Sequence, residues 1–478
     1  MNKLVWNKRL VWSKRPVWSG HSCPLPLTLL LILLLTLSTQ AITQDKPVAL
    51  KGGKLLTVTH GTIENGVVIM QAGKITAVGA ANSVNVPADA RVIDATGMTI
   101  YPGLIDSETQ LGLTEISAEE MTNDLVEMSD EIMPHMHTAE AFHAETVLIP
   151  VARMNGITNA IVAPDSGDTL PGQDSFIQLA GANATEMLLI RDIALPLNFT
   201  GDQRRNKGGF EKSKFPSTRM GLAAQLRQAF LDAQDYKAKW TDYERKKAEA
   251  AQSNTKDAKG NDAKDKDGKD KSSKDKKSEP VPPKRDLRLE ALLPYLEGKK
   301  PIVLAAESPS DLETAVSLAN EFKLKFVLNH ISHSQPVLDY VASLKVPVIV
   351  GPIYEAPKED ERYDAVYSLP AQLYKRGIKI VFASYSAHNV RNLPDQAGFA
   401  TAFGLPYDEA LKAITLNPAE VWGVADQLGS LDVGKTANVV IANGDPLDVK
   451  TDVKQVFIQG REIPMTSRQV HLRDEYSK

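Results

Sequence analysis

Five side chains in this sequence form a set able to hold a divalent metal: Glu108, Glu307, His330, His333 and His388. Carboxylate oxygens and imidazole nitrogens together suit zinc, manganese or iron. Ligand identity without geometry leaves two outcomes open, one bound divalent metal or none. A second histidine group, His135-x-His137 with His143, imitates a metal-binding pair, but it follows Met133-Pro134, which places it in a loop or short helix. Gly167 and Gly172 have no Gly-Lys-Ser/Thr after them, so they make no phosphate loop. Ser166 lacks the strand-elbow-helix setting and the base that a serine nucleophile needs. Cys23 is the single cysteine and precedes an apolar run, so the mature chain is expected to have neither disulfide nor thiol nucleophile.

The elements that must position these groups follow from composition and pattern. The chain has 478 residues, 42% hydrophobic and 24% charged, enough to bury one barrel-sized domain and a smaller one. A net charge of −4 gives no electrostatic reason to bind nucleic acid and leaves small solutes as the default ligands. Lys3, Lys8, Arg9, Lys14 and Arg15 precede the apolar run 25–37 and the small residues around Ala41, the pattern of a signal peptide over 1–41. The chain is therefore expected to be exported, to a periplasm or outside the cell.

Short β-runs punctuated by Gly61, Gly73 and Gly97 fill 46–100, and similar runs return at 438–442 and 455–459. They predict one small β-sandwich, over 46–100 plus 428–465, built from both chain ends. Between them, strand-like runs at 157–162, 301–305, 325–329, 346–350 and 379–383 alternate with helical patterns. That alternation predicts an α/β fold with a parallel sheet, a (β/α)8 TIM-like barrel over 101–427. A helix is expected over about 220–247. Residues 246–285, rich in Lys and Asp and without large apolar side chains, are expected to be a disordered insertion.

The segment Ile100-Tyr101-Pro102-Gly103-Leu104-Ile105-Asp106 resembles the first barrel strand of amidohydrolases. Ile414-Thr415-Leu416-Asn417-Pro418-Ala419-Glu420 resembles the last barrel helix, and Leu428-Gly429-Ser430-Leu431 through Val440 the return to the sandwich. Gly351-Pro352-Ile353-Tyr354 and Arg391-Asn392-Leu393-Pro394 look like the imidazolonepropionase-like branch. The resemblance implies hydrolysis of non-peptide carbon–nitrogen bonds, in amides or cyclic amides, by one or two metals at the carboxyl end of the barrel. It implies a His-x-His pair where this chain has Glu108 and Gln110, a histidine near Ala305, and an aspartate where Tyr385 stands. Of the ligand positions that align, His330 alone remains a family ligand.

Glu108, His330 and Tyr385 are the candidate catalytic residues, and Gln110, Glu307, His333 and His388 are candidate substrate contacts near the barrel mouth. Three readings stay open. One is a family member with metal catalysis lost or altered, a degenerate site on an intact scaffold. The second is an active hydrolase with a metal site rebuilt on Glu108 and His330. The third is a non-catalytic binding subunit, as a homo-oligomer or in complex with an intact amidohydrolase paralogue.

Overall fold

A computed structural model describes residues 46–127, 129–199, 216, 218–258, 280–333 and 335–477. The expected signal peptide over 1–41 and residues 259–279 of the expected insertion lie outside them.

The chain ends form one eight-stranded sheet. From the N-terminal side come β1 (Val48–Leu56), β2 (Thr62–Gln71), β3 (Lys74–Ala80), β4 (Arg91–Asp94) and β5 (Thr99–Pro102). The hairpin between β2 and β3 turns at Ala72 and Gly73, both at positive φ, the backbone twist that a two-residue hairpin loop requires. The barrel strands follow: β6 (Leu104–Thr109), β7 (Ile157–Val162), β8 (Asp174–Gln178), β9 (Leu188–Asn198), β10 (Ile302–Ala305), β11 (Phe326–Asn329), β12 (Val348–Val350) and β13 (Ile380–Phe382). The chain then returns through β14 (Val439–Ala442), β15 (Val453–Ile458) and β16 (Arg461–Ile463). Strand β5 pairs parallel with β1 and antiparallel with β14. It therefore stitches the strands of both chain ends, from which one small β-sandwich was expected, into a single hydrogen-bonded sheet. Leu50, Val68, Ile100, Val439, Ile441 and Phe457 are buried together on one face of it.

The second sheet holds β6 to β13 in sequence order and nearly closes into a barrel. One residue from each strand fills its interior: Ile105, Ile161, Phe176, Ile193, Val303, Val327, Ile349 and Val381. Trp422 and Leu428 join the same cluster. Leu104, Leu304, Leu328, Val348 and Ile380 belong to the larger cluster shared with the surrounding helices. The expected all-parallel (β/α)8 order needs correction at β8, which runs antiparallel to both β7 and β9. A parallel return needs a crossover of about a dozen residues or more, usually helical. Residues 163–173 contain no helix, and only the short helix Ala184–Met187 stands between β8 and β9, so the chain reverses instead.

The helix expected over about 220–247 spans Arg219–Ala258 and so continues into the segment expected to be disordered. Its first half buries Leu222, Leu226, Phe230, Ala233 and Tyr236, a helical stripe, with Phe230 packed 5.0 Å from Phe322. Beyond Trp240 the helix is held by its own charge pairs, including Lys246 to Asp242 at 2.7 Å and Arg245 to Glu249 at 3.1 Å. Alanine, Lys and Glu there favour helix, and the run 241–258 contains neither Gly nor Pro.

Candidate functional site

The carboxyl ends of β6, β10, β11, β12 and β13 meet where the barrel seam closes. Strand β13 reaches β6 through the Tyr385 backbone N–H, which donates to the Glu108 carbonyl at 3.0 Å. Asp106 reinforces the seam, its Oδ1 accepting from Ser384 N–H at 3.0 Å and from Glu108 N–H at 3.2 Å. Thr109 Oγ1 donates to the Ser386 carbonyl at 2.9 Å. Asp106 is fully buried and its Oδ2 has no partner. Burial pushes its carboxyl up to about 7 against the lowering pull of the Ser384 and Glu108 hydrogen bonds.

His330 and Tyr385 both adopt left-handed backbone, φ 54° and 52°, uncommon for side chains of this bulk. Each is held there by a bond to the site: His330 N–H donates to Asn329 Oδ1 at 2.8 Å, and Tyr385 N–H donates to Glu108 as above. Their rings pack with centroids 4.7 Å apart. Asn329, buried at the end of β11, ties the group together. Its Nδ2 donates to Glu108 Oε2 at 2.6 Å, and its Oδ1 also accepts from the Tyr385 hydroxyl. His330 Nε2 lies 3.8 Å from the other Glu108 oxygen, with the two side chains 25% and 14% exposed.

Burial works against a protonated His330, but the contact and charge of Glu108, helped by Glu307 and Glu355, hold its pKa above the usual imidazole value. Burial, then the charges of Glu108, Asp106 and Glu355, push the Tyr385 phenol well up, so it stays a hydrogen-bond donor. Burial also raises Glu355.

Two cavities share His330 and Tyr385 in their walls. One of about 110 Å³ is lined by Glu108, Gln110, Asp165, Ser166, His330 and Tyr385 among others. The second, about 310 Å³, is lined by Glu307, His330, His333, Glu355, Tyr385 and Asn389 among others. Of the residues singled out in the sequence, Glu108, Gln110, Glu307, His330, His333 and Tyr385 thus line one or other of two cavities that meet at His330 and Tyr385. His333 is anchored to Glu361 at 2.9 Å. His388 lines neither cavity: its backbone N–H bonds Ser386 Oγ and its side chain is exposed, while the next residue, Asn389, faces the larger one. His135, His137 and His143 do not cluster on a common ligand; His137 pairs with Asp192 and His143 with Asp124. The Ser166 hydroxyl bonds Asp165 at 3.5 Å, and among the described residues it has no further side-chain partner. Sequence reasoning missed Asn329, Glu355 and Asp106; Asn329 was findable only as a polar residue ending an apolar strand beside His330.

The donor set does not fit the divalent metal that the fold suggests. Among the described residues no group of three or more His, Cys, Asp or Glu side chains is placed to hold a metal ion. Glu108 and His330 stand together without a third ligand: Ala305 ends β10 with a methyl group, and Tyr385 donates to Asn329. What the arrangement offers is a carboxylate and an imidazole facing a polar cavity, able to accept an N–H and donate to a carbonyl.

Residues 309–463 match the family model described as Amidohydrolase family. The chain is similar to Amidohydrolase tasK of Hapsidospora irregularis, 24% identical over 429 residues, which cover 86% of this chain and 41% of that relative. The chain thus spans less than half the length of that curated relative. A crystal structure of an amidohydrolase from Thermotoga maritima MSB8 matches with a TM-score of 0.71 and 25% identity, covering 88% of this chain and 100% of that one. Molinate hydrolase shares the fold at a TM-score of 0.51 and 16% identity, over 89% of this chain and 96% of its own. Residues 309–463 and the fold are thus similar to those of amidohydrolases, a family whose members typically use a divalent metal.

Proposed function

We propose that this is an exported amidohydrolase-family protein, of the imidazolonepropionase-like branch, whose barrel mouth binds a small polar molecule after loss of metal-dependent hydrolysis of non-peptide carbon–nitrogen bonds. The observation that carries the reading is the bonded chain from Tyr385 through Asn329 to Glu108, with His330 against it. The two side chains best able to ligate a metal are engaged with protein groups and with each other. A ligand carrying an amide fits what remains, since Glu108 accepts an N–H and a protonated His330 donates to a carbonyl oxygen. Fold alone does not decide chemistry, so the reading rests on these side chains.

The test is divalent metal content by elemental mass spectrometry on the full chain purified without chelators, beside a His330→Ala variant. Metal-free, folded protein is the expected result. Near-stoichiometric zinc, manganese or iron that falls in the variant would establish the opposite reading, an active hydrolase rebuilt on Glu108 and His330.

A second reading, a binding subunit beside an intact amidohydrolase paralogue, is favoured by one observation. The curated relative has more than half its length outside the match, room for a second domain of this size. Native mass spectrometry of the chain mixed with a paralogue that carries an intact His-x-His pair tests it. A stoichiometric complex is expected on this reading, and two separate species would end it.

A further inference from the structure

We infer that Asn329 is a specificity-determining residue that keeps divalent metal out of the barrel mouth by engaging the Glu108 carboxylate with its own uncharged amide. This rests on the reading of the mouth as a metal-free binding site, and it names the residue responsible.

The amide is committed at both ends. Its Oδ1 accepts from His330 N–H at 2.8 Å and from the Tyr385 hydroxyl, and its Nδ2 donates to Glu108 Oε2 at 2.6 Å. The flipped orientation would set the amide oxygen against a carboxylate oxygen and the amide nitrogen against two donors, so the network permits one arrangement only. Asn329 is 1% exposed, which makes breaking any of these bonds costly. This N–H occupies one lone pair of Glu108 Oε2 and fixes the carboxylate in an orientation turned toward Asn329 and His330. The other Glu108 oxygen faces His330 Nε2 at 3.8 Å, so the second candidate ligand is also turned on the first. Asn329 thus does for Glu108 what a cation would do, holding the carboxylate in place, but without charge and without open coordination positions.

The inference makes a one-atom prediction. Asn329→Asp replaces the donating Nδ2 with an oxygen at the same place, 2.6 Å from a carboxylate oxygen. Two carboxylates that close cannot both ionise unless a cation joins them. With His330 beside them they supply three ligands, the usual number from protein at an open zinc site.

The experiment is titration of the full-length wild type, Asn329→Asp, Asn329→Ala and the double variant N329D/H330A with zinc and with manganese alone. Calorimetry and metal content after gel filtration give the readout, and circular dichroism checks folding. The expected result is no stoichiometric metal in the wild type, near-stoichiometric metal in Asn329→Asp, and its loss in the double variant. Asn329→Ala, which frees Glu108 without adding a ligand, is expected to raise affinity over wild type by about tenfold, whereas removal of a bond that supports a metal ligand would lower it by at least as much. That variant decides the matter if Asn329→Asp does not fold. Folded Asn329→Asp or Asn329→Ala with no gain in affinity overturns the role of Asn329 while leaving the metal-free reading of the wild type intact. Stoichiometric metal in the wild type overturns both.

Discussion

Replacing Asp106 with asparagine isolates the cost of a buried carboxyl at the barrel seam. Asp106 Oδ1 accepts from Ser384 and Glu108 N–H groups, an acceptor role that an amide oxygen reproduces. Its ordinary carboxyl pKa is ~3.9 in an unfolded chain, and burial pushes it up to about 7 in the fold. The folded state therefore holds a proton that the unfolded state releases across this window. Stability contributed by the protonated form is complete below the unfolded pKa and is lost as pH rises through the folded one. A gap of about 3 units corresponds to roughly 4 kcal/mol between acid and mildly alkaline solution. Asp106→Asn cannot ionise, so its stability should lack this slope. The assay is urea unfolding of wild type and variant at pH 5 and pH 8, comparing the two pH dependences so that all other titrating groups cancel. Most of the gap lies above pH 5, so the wild type should lose about 3 kcal/mol more than the variant. Equal losses, within about 0.5 kcal/mol, would refute the placement of a neutral acid at the seam.

Tyr385→Phe removes the hydroxyl that donates to Asn329; a loss of about 1 kcal/mol is expected from chemical denaturation. The ring contact with His330 should survive. Phe230→Ala empties a fully buried site against Phe322 and should cost about 3–5 kcal/mol, read as a lower thermal midpoint. Gly351→Ala places a Cβ 2.4 Å from the Ala383 carbonyl oxygen at a φ of 127°. Overpacking and backbone strain there should destabilise the chain by about 1–3 kcal/mol, and a melting point equal to wild type would count against the close approach of β12 and β13.

How much of this fold was legible depended on whether a strand advertised itself by apolar run or by neighbours alone. The runs that end at Ala305, Asn329 and Val350 are bounded and apolar, and each holds a strand within a residue or two of where it was expected. Strand β8 was not legible. Its sequence Asp-Ser-Phe-Ile-Gln alternates poorly, yet all five residues are buried because β7 and β9 flank it. Asp174 in particular is fully buried and its carboxyl is pushed well up by that burial, a cost no local pattern announces. The long helix was misread at its far end for the opposite reason: composition signalled disorder while helix propensity and charge spacing were sufficient to extend it to Ala258.

The candidate site was legible as a list of residue types and not as a network. Glu108, His330 and Tyr385 stood out because the resemblance implied metal ligands or their neighbours there, and they do line one cavity. Asn329 carried no such mark, since its importance lies in three bonds to residues remote in sequence or fixed by backbone direction. The seam explains how ligands can be exchanged without losing the barrel. Residue 108 joins β13 through its backbone carbonyl, and that bond does not depend on which side chain it bears. Asp106 Oδ1 and Thr109 Oγ1 add further bonds across the same gap, to Ser384 N–H and the Ser386 carbonyl. Closure of the sheet and identity of the ligands are thus carried by different atoms of the same short segment. Substitution at Glu108 can therefore change what the mouth binds while the barrel around it stays shut, which is what makes side-chain variants at this position clean probes of function.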